Sequence, residues 1–296
     1  MGGELTRKAI AAQPDWLAAV PTDLRLPDAR ILFTGCGTSF HAAQTGGEAV
    51  QALELVLDPG RDADVLVCIS HEGETPLTLE AARGWEGPRW LVTGKGDSPL
   101  GELCDEVVVC TPAVEESWCH TASYTSAVAC LAALRGEDVS WLAAAVADAL
   151  RGARFPVSDH ERFLVAGAGR DWPTAQEAVL KLREGAHAAA EAHETEQLLH
   201  GHLAAVDHSV RCFVLEGEGR GAERAHDAVA ALGELGCDVT LVATRHPAVD
   251  IVPFQVLTVD LAGARDVDPD PIRRDDERWA RAAQAHGSSG TPPVAE

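Results

Sequence analysis

Apolar positions along this chain fall in short dense runs bounded by Gly, Asp or Pro, and two of these runs echo each other. The first is Ile31-Leu32-Phe33-Thr34-Gly35-Cys36-Gly37-Thr38-Ser39, and the second is Phe163-Leu164-Val165-Ala166-Gly167-Ala168-Gly169-Arg170. Each reads as a buried strand broken by Gly-X-Gly and followed by a helical pattern. In the first half the runs predict strands at 29–35, 53–58, 64–70, 89–94 and 105–110. Helical patterns lie near 39–51, 76–84 and 122–134, and an Ala-rich amphipathic stretch covers 137–152. The second half repeats the theme, with strands expected at 163–169, 211–217, 238–244 and 254–260 and helices near 174–190 and 221–236. Strands alternating with helices imply parallel sheets with right-handed crossovers. The expected fold is therefore α/β, with two doubly wound parallel sheets flanked by helices and related by internal duplication.

Three segments follow from that division. A first domain spans 1–155 and a second 156–265, with a linker around Gly152 to Asp159. A tail covers 266–296, in which a short helical pattern opens at Asp276 and a Ser/Gly/Pro-rich end from Gly287 is expected to be disordered.

Composition narrows the function classes. Lys and Arg total 24 against 46 Asp and Glu, a formal net charge of −22. Such a field repels nucleic acid and anionic membranes, so neither is expected as a partner. No apolar run approaches the eighteen or so residues of a membrane span and the N-terminus lacks a signal-peptide pattern, so a cytoplasmic location is the expectation. None of the eight cysteines forms Cys-x-x-Cys, and several sit inside apolar runs such as Val65-Leu66-Val67-Cys68-Ile69, as buried reduced thiols do.

The candidate chemistry lies in three places. A glycine-rich turn between strand and helix, here Gly35 to Ser39, leaves backbone N–H groups at a helix N-terminus, where anions bind. Ser70-His71-Glu72-Gly73-Glu74-Thr75 follows the strand expected at 64–70, so both loops lie at strand carboxyl ends, where open parallel sheets take ligands. Lys181-Leu182-Arg183-Glu184 lies on the first long helix of the second half, followed by Glu196-Gln197-Leu198-Leu199-His200-Gly201.

In this order the segments resemble the SIS (sugar isomerase) family, and more narrowly the tandem-SIS isomerase domain of glucosamine-6-phosphate synthase and its stand-alone relatives. That family carries Gly-x-Gly-Thr-Ser, Ser-x-Ser-Gly-Glu-Thr, Lys-Leu-x-Glu and a His-Gly-Pro turn. The resemblance implies aldose–ketose isomerisation of a sugar phosphate or amino-sugar phosphate. Thr38, Ser39, Ser70 and Thr75 would hold the phosphate, and Cys36, Gly37, His71, Glu72 and Lys181 would complete the binding segments. Glu184 would move a proton between C1 and C2. His200, supplied by the neighbouring subunit of a homodimer, would assist ring opening. A carboxylate and an imidazole suffice for such chemistry, so no metal or redox cofactor is expected.

The chain also departs from the pattern. Glu72 replaces a serine and places a carboxylate beside the expected phosphate, so it must turn away towards a cation or the recognised group is not a phosphate in the usual pose. His202 replaces the proline, and Gln197, with Glu196 adjacent, stands where the family has Glu. The amine-transferring members use a C-terminal lysine to form an imine, whereas this tail offers only Arg273, Arg274, Arg278 and Arg281. Arginine stays protonated and forms no such bond. No glutaminase segment accompanies the two halves either, which leaves isomerisation, with deamination or non-catalytic phosphosugar sensing as alternatives.

Bland readings compete at several positions. A dinucleotide site would want a third glycine, which Gly-Cys-Gly-Thr-Ser-Phe lacks, although Asp58 lies near the right distance for a ribose contact. His187, Glu191, His193, His200 and His202 have metal-ligand chemistry but suit an interfacial polar segment equally. Trp118 and His120 align with the family's substrate-covering segment, or pack under the helix that begins near Thr121.

Overall fold

The computed structural model describes residues 2–152 and 154–285. The expected tail from Gly287 lies outside the described residues. The chain opens with helix α1 (Glu4–Ala18) and continues β1 (Ile31–Gly35), α2 (Thr38–Gly46), β2 (Ala49–Gln51), α3 (Ala52–Leu57), β3 (Val65–Ile69), α4 (Pro76–Gly84), β4 (Arg89–Thr93) and β5 (Glu106–Val109). Helices α5 (Ala122–Leu134) and α6 (Leu142–Arg151) lead to the second half. There β6 (Arg162–Gly167), α7 (Trp172–Ala186), β7 (Ala189–Glu194), α8 (Thr195–Leu199), β8 (Val210–Leu215), α9 (Arg220–Glu234) and β9 (Asp238–Val242) follow. Helices α10 (Pro247–Asp250), α11 (Val252–Ala264) and α12 (Glu277–Ala285) close the described chain.

The strands form two parallel sheets, ordered β2-β1-β3-β4-β5 and β7-β6-β8-β9. Within each sheet the chain runs outwards in both directions from its first strand, so a switch point opens between β1 and β3 and again between β6 and β8. Phe33 pairs with Val67 across the first, which brings the loops after β1 and β3 side by side.

The largest hydrophobic cluster takes Phe33, Val67 and Val92 from the first sheet and Phe163, Val165 and Phe213 from the second. The two halves therefore share a core. Helix α5 crosses it with every residue buried, which is why its sequence is apolar or small all round.

Two expected strands are helices. Residues 53–58 fall in α3, whose buried residues Ala52 and Leu55 recur at helical spacing while Leu53 and Leu57 face solvent. Residues 254–260 fall in α11, a core helix opened by a proline in its first turn. Buried on several sides, it carries a near-continuous apolar run that periodicity cannot distinguish from a strand. The stretch 247–264 is long and apolar enough to cross a membrane by length and composition, but 72% of it is buried inside the protein.

The helix expected at 174–190 stops at Ala186, where His187 turns left-handed (φ 50°) and its N–H bonds back to Leu182. The Ala/Glu/His-rich residues that follow form the edge strand β7. Likewise, the end of the helix expected at 39–51 is strand β2, and the 137–152 helix begins only at Leu142. All eight cysteines are unpaired thiols, five of them buried.

Candidate functional site

At the β1/β3 switch point lies a cavity of about 500 Å³. Cys36, Gly37, Thr38 and Ser39 line one side of it, and Ser70, His71, Glu72 and Thr75 another. The first loop depends on its glycines. A Cβ on Gly35 would sit 2.9 Å from the Ser39 backbone, and Gly37 has φ +54°, so the chain turns sharply into α2. Helices α2 and α4 both begin at this cavity, and the hydroxyls of Ser70 and Thr75 lie 3.3 Å apart inside it.

Glu184 reaches the same cavity from α7, in the other half of the chain. Its carboxylate is held by the ammonium of Lys181 at 2.7 Å, one helical turn away, and Lys181 also lies 3.4 Å from Glu177. Glu177 accepts from the Thr38 hydroxyl at 3.1 Å and pairs with His41 at 2.7 Å. A chain of charges thus ties α7 to the start of α2 and fixes Glu184 relative to the first loop. Lys181, expected among the ligand-binding residues, is itself fully buried and does not line the cavity. Burial works against its charge, yet the carboxylates of Glu184 and Glu177 outweigh it and raise the pKa above the ordinary lysine value.

Two imidazoles form another part of the wall. His71 Nε2 accepts the backbone N–H of Glu115 at 2.9 Å, and the rings of His71 and His120 meet edge-on with centroids 5.2 Å apart. Burial lowers the pKa of His71 to about 4. Burial, with the nearby His71, Lys181 and Arg274, lowers that of His120 to about 3. Both rings are therefore neutral near pH 7. The Glu115 carboxylate caps α5 through the amides and hydroxyls of Thr121 and Ser123 at 2.6–2.9 Å.

A cation arrives from the tail. Asp268 and Asp270 accept the backbone N–H groups of Gly3, Leu5 and Thr6 at the start of α1, and the Asp270 carbonyl accepts from the N–H of Trp118. The chain then passes through two residues of positive φ, Ile272 (45°) and Arg273 (62°). Beyond them the Arg274 guanidinium lies 3.6 Å from the centroid of the Trp118 ring, and both side chains line the cavity. Burial lowers the Arg274 pKa, while the charges of Glu72 and Glu184 oppose that shift. Arg274 is the sole Lys or Arg lining the cavity among the described residues. Glu74, also in the wall, pairs with Lys95 at 2.9 Å.

The structure brings nine of the eleven expected site residues to one cavity and leaves two outside. His200, at the end of α8, does not line it, and its side chain is 71% exposed beside Glu196 at 2.8 Å. The His-rich segment is dispersed: His187 accepts from Arg273 at 2.9 Å, while His193 packs against His202 with ring centroids 4.3 Å apart. Among the described residues no group of three or more His, Cys, Asp or Glu side chains is arranged to hold a metal ion. Sequence reasoning missed the siting of Arg274 and the anchoring roles of Glu115 and Glu177, because each acts through a distant partner. The signal nearest to hand was the Asp268-Pro269-Asp270 run, whose acidic residues suit a helix N-terminus.

No family model matches the chain. It is 27% identical over 311 residues to glutamine–fructose-6-phosphate aminotransferase (isomerizing) of Pyrococcus horikoshii, and 27% identical to that of Streptomyces coelicolor. Each match covers 82% of this chain and 50% of the relative, so the chain spans about half the length of the curated relatives it matches. The fold is that of the C-terminal domain of glucosamine-fructose-6-phosphate aminotransferase from Francisella tularensis (TM-score 0.76, 20% identity, 90% of this chain and 98% of that one). It is also that of tagatose-6-phosphate ketose/aldose isomerase from Escherichia coli (TM-score 0.75, 18% identity, 91% and 95%) and glucosamine-6-phosphate deaminase from Thermotoga maritima (TM-score 0.73, 19% identity, 90% and 97%).

Proposed function

We propose that this protein is a SIS-type enzyme that interconverts the aldose and ketose forms of a sugar phosphate or amino-sugar phosphate, with Glu184 as the base. The observation that carries the reading is the position of Glu184, which shares one cavity with the strand-end loops and is anchored there by Lys181 at 2.7 Å. Isomerisation needs a base beside the carbon next to a carbonyl, close to groups that hold the rest of the sugar. The loops at Cys36–Ser39 and Ser70–Thr75, with Arg274, would hold the phosphorylated end. The fold shared with an isomerase and a deaminase, and the similarity to aminotransferases of the isomerizing kind, support this choice. We infer too that the two like-ordered sheets are tandem copies of one unit, with domains at 1–155 and 156–265. Exposed in a single chain, His200 would take part only where a second copy of a homodimer carried it to the cavity.

One feature favours a second reading. Glu72 and Glu184 face the cavity against a single guanidinium, an arrangement that suits an ammonium-bearing sugar and hence deamination of an amino-sugar phosphate. Incubating the protein with fructose 6-phosphate, tagatose 6-phosphate and glucosamine 6-phosphate separates the cases. C1 hydrogen exchange or aldose formation supports the isomerase, whereas ammonia release from glucosamine 6-phosphate supports the deaminase. Tight binding with no turnover of any of the three would replace both with a sensor.

A further inference from the structure

His120 is the one cavity imidazole with nothing to do in the fold. His71, its neighbour, is committed to the Glu115 N–H, whereas among the described residues none hydrogen-bonds Nδ1 of His120. Its Nδ1 is buried without a partner, and the nearest carboxylate oxygen, on Glu115, lies 4.0 Å away. That carboxylate is already engaged by four donors on Thr121 and Ser123, so it orients the ring through its charge rather than a bond. A negative charge on the Nδ1 side favours the proton there and leaves the Nε2 lone pair for the cavity. Edge contact with His71 holds the ring on one flank. Nδ1 is thus kept inside the fold on the Glu115 side, and Nε2 is the ring nitrogen left to meet a ligand in the cavity that His120 lines.

We propose that His120 opens the sugar ring, the step that must precede proton transfer by Glu184; this rests on the isomerase reading above. The neutral imidazole takes the proton of the hemiketal hydroxyl at Nε2. The oxygen–hydrogen pair becomes the C2 carbonyl as the bond from C2 to the ring oxygen breaks. The leaving ring oxygen then receives the same proton from Nε2, and the imidazole returns to its starting form. No oxidant, metal or second acid enters the balance. In the free protein, burial and the positive charges of Lys181 and Arg274 hold the ring neutral. A phosphate dianion in the cavity offsets that field and makes the imidazole a better base at the moment it is needed.

The test compares ring-forming and open-chain substrates. Fructose 6-phosphate and tagatose 6-phosphate close into furanoses, but their 5-deoxy forms cannot, so only the former need opening. Hydrogen exchange at C1 in deuterium oxide is followed for the wild type and for His120→Gln, Glu184→Gln and His200→Ala. The expected result is a fall of about a hundredfold or more for His120→Gln on a ring-forming sugar, with its 5-deoxy form exchanged within about threefold of wild type. Glu184→Gln should lose both, and retained 5-deoxy exchange shows in the same tube that His120→Gln is folded. Equal loss on both substrates would make His120 a binding or packing residue and overturn the proposal. Unchanged exchange in His120→Gln with loss in His200→Ala would assign the step to His200 instead. A wild type that exchanges the 5-deoxy sugars alone would refute ring opening by His120 and spare the isomerase reading. A wild type that exchanges none of the sugars would sink the isomerase reading, and this proposal with it.

Discussion

The guanidinium of Arg274 stacks 3.6 Å from the Trp118 ring centroid, joining a residue of the C-terminal tail to the segment ahead of α5. The stack is secured from behind, because Asp268 and Asp270 bind the first turn of α1 and the Asp270 carbonyl binds Trp118. Three distant pieces of chain thus set one cation in the wall of an otherwise acidic cavity.

Arg274→Ala should therefore weaken binding of fructose 6-phosphate by about 10- to 100-fold, since hydrogen bonds to charged groups contribute about 1.5–3 kcal/mol. Unphosphorylated fructose, titrated alongside by calorimetry, should bind much as before. Equal weakening of both sugars would show that Arg274 acts by packing on Trp118 and not by recognising the anion.

Lys181 makes a prediction about stability rather than ligand binding. It is fully buried, with Glu184 at 2.7 Å and Glu177 at 3.4 Å. Removing one member of a buried charge cluster leaves the rest uncompensated, so Lys181→Met should cost about 3–5 kcal/mol in urea unfolding. Adding Glu177→Gln should restore part of that loss. A single substitution within about 0.5 kcal/mol of wild type would mean that the cluster is screened by water.

These two residues mark how far sequence reading reaches. The loops at Gly35–Ser39 and Ser70–Thr75 were legible because their chemistry is local: a strand, a glycine turn and a helix start, all contiguous. Glu184 was legible only through the order of the four segments, since nothing local says which way a helix points a carboxylate. Arg274 escaped because its position follows from contacts between Asp270 and a helix more than 260 residues earlier. The resemblance of Lys181-Leu182-Arg183-Glu184 to Lys-Leu-x-Glu puts Lys181 among the ligand-binding residues, but the motif does not say which side of the helix a lysine takes. Burial on both flanks of α7 decides that question. The misread strands at 53–58 and 254–260 share a cause, namely apolar runs whose period is hidden once more than one face is covered.

Glu72 gives the opposite sign to Arg274. It lines the cavity close enough for its charge to be felt by Arg274, so part of the guanidinium's field is cancelled before any anion arrives. Glu72→Ser should tighten fructose 6-phosphate relative to fructose, by roughly tenfold if about 1.4 kcal/mol of repulsion is relieved. The competition is measured as the dissociation constant of fructose divided by that of fructose 6-phosphate at one ionic strength, a ratio that should rise. A ratio that falls instead would place Glu72 in contact with a donor on the ligand, as the deaminase reading requires.

Acid should unfold this protein through its buried imidazoles, and Asp250 should partly resist it. Burial holds His71 at about 4, and holds His246 at about 4 with help from Arg170. His120 lies at about 3, through burial, His71, Lys181 and Arg274. All three are lowered from 6.5, so their stabilising contribution is complete above pH 6.5. It is lost as pH falls towards 4, where the unfolded chain binds protons that the native state refuses. Asp250 has the reverse sign. Burial, with Asp171 nearby, raises it from 3.8 to about 7, although the Arg245 amide works against the shift. Between pH 3.8 and 7 it is the native state that holds the extra proton, so this residue loses stability as pH rises. Asp250→Asn, which keeps an oxygen for the Arg245 amide bonded at 2.9–3.0 Å, should therefore raise stability at pH 8 by about 1–3 kcal/mol. The same variant should show a steeper loss between pH 6.5 and 4, because the three imidazoles then act unopposed. Urea midpoints taken at half-unit intervals of pH measure both effects. A variant whose profile runs parallel to wild type across that range would mean that Asp250 is ionised in the native protein.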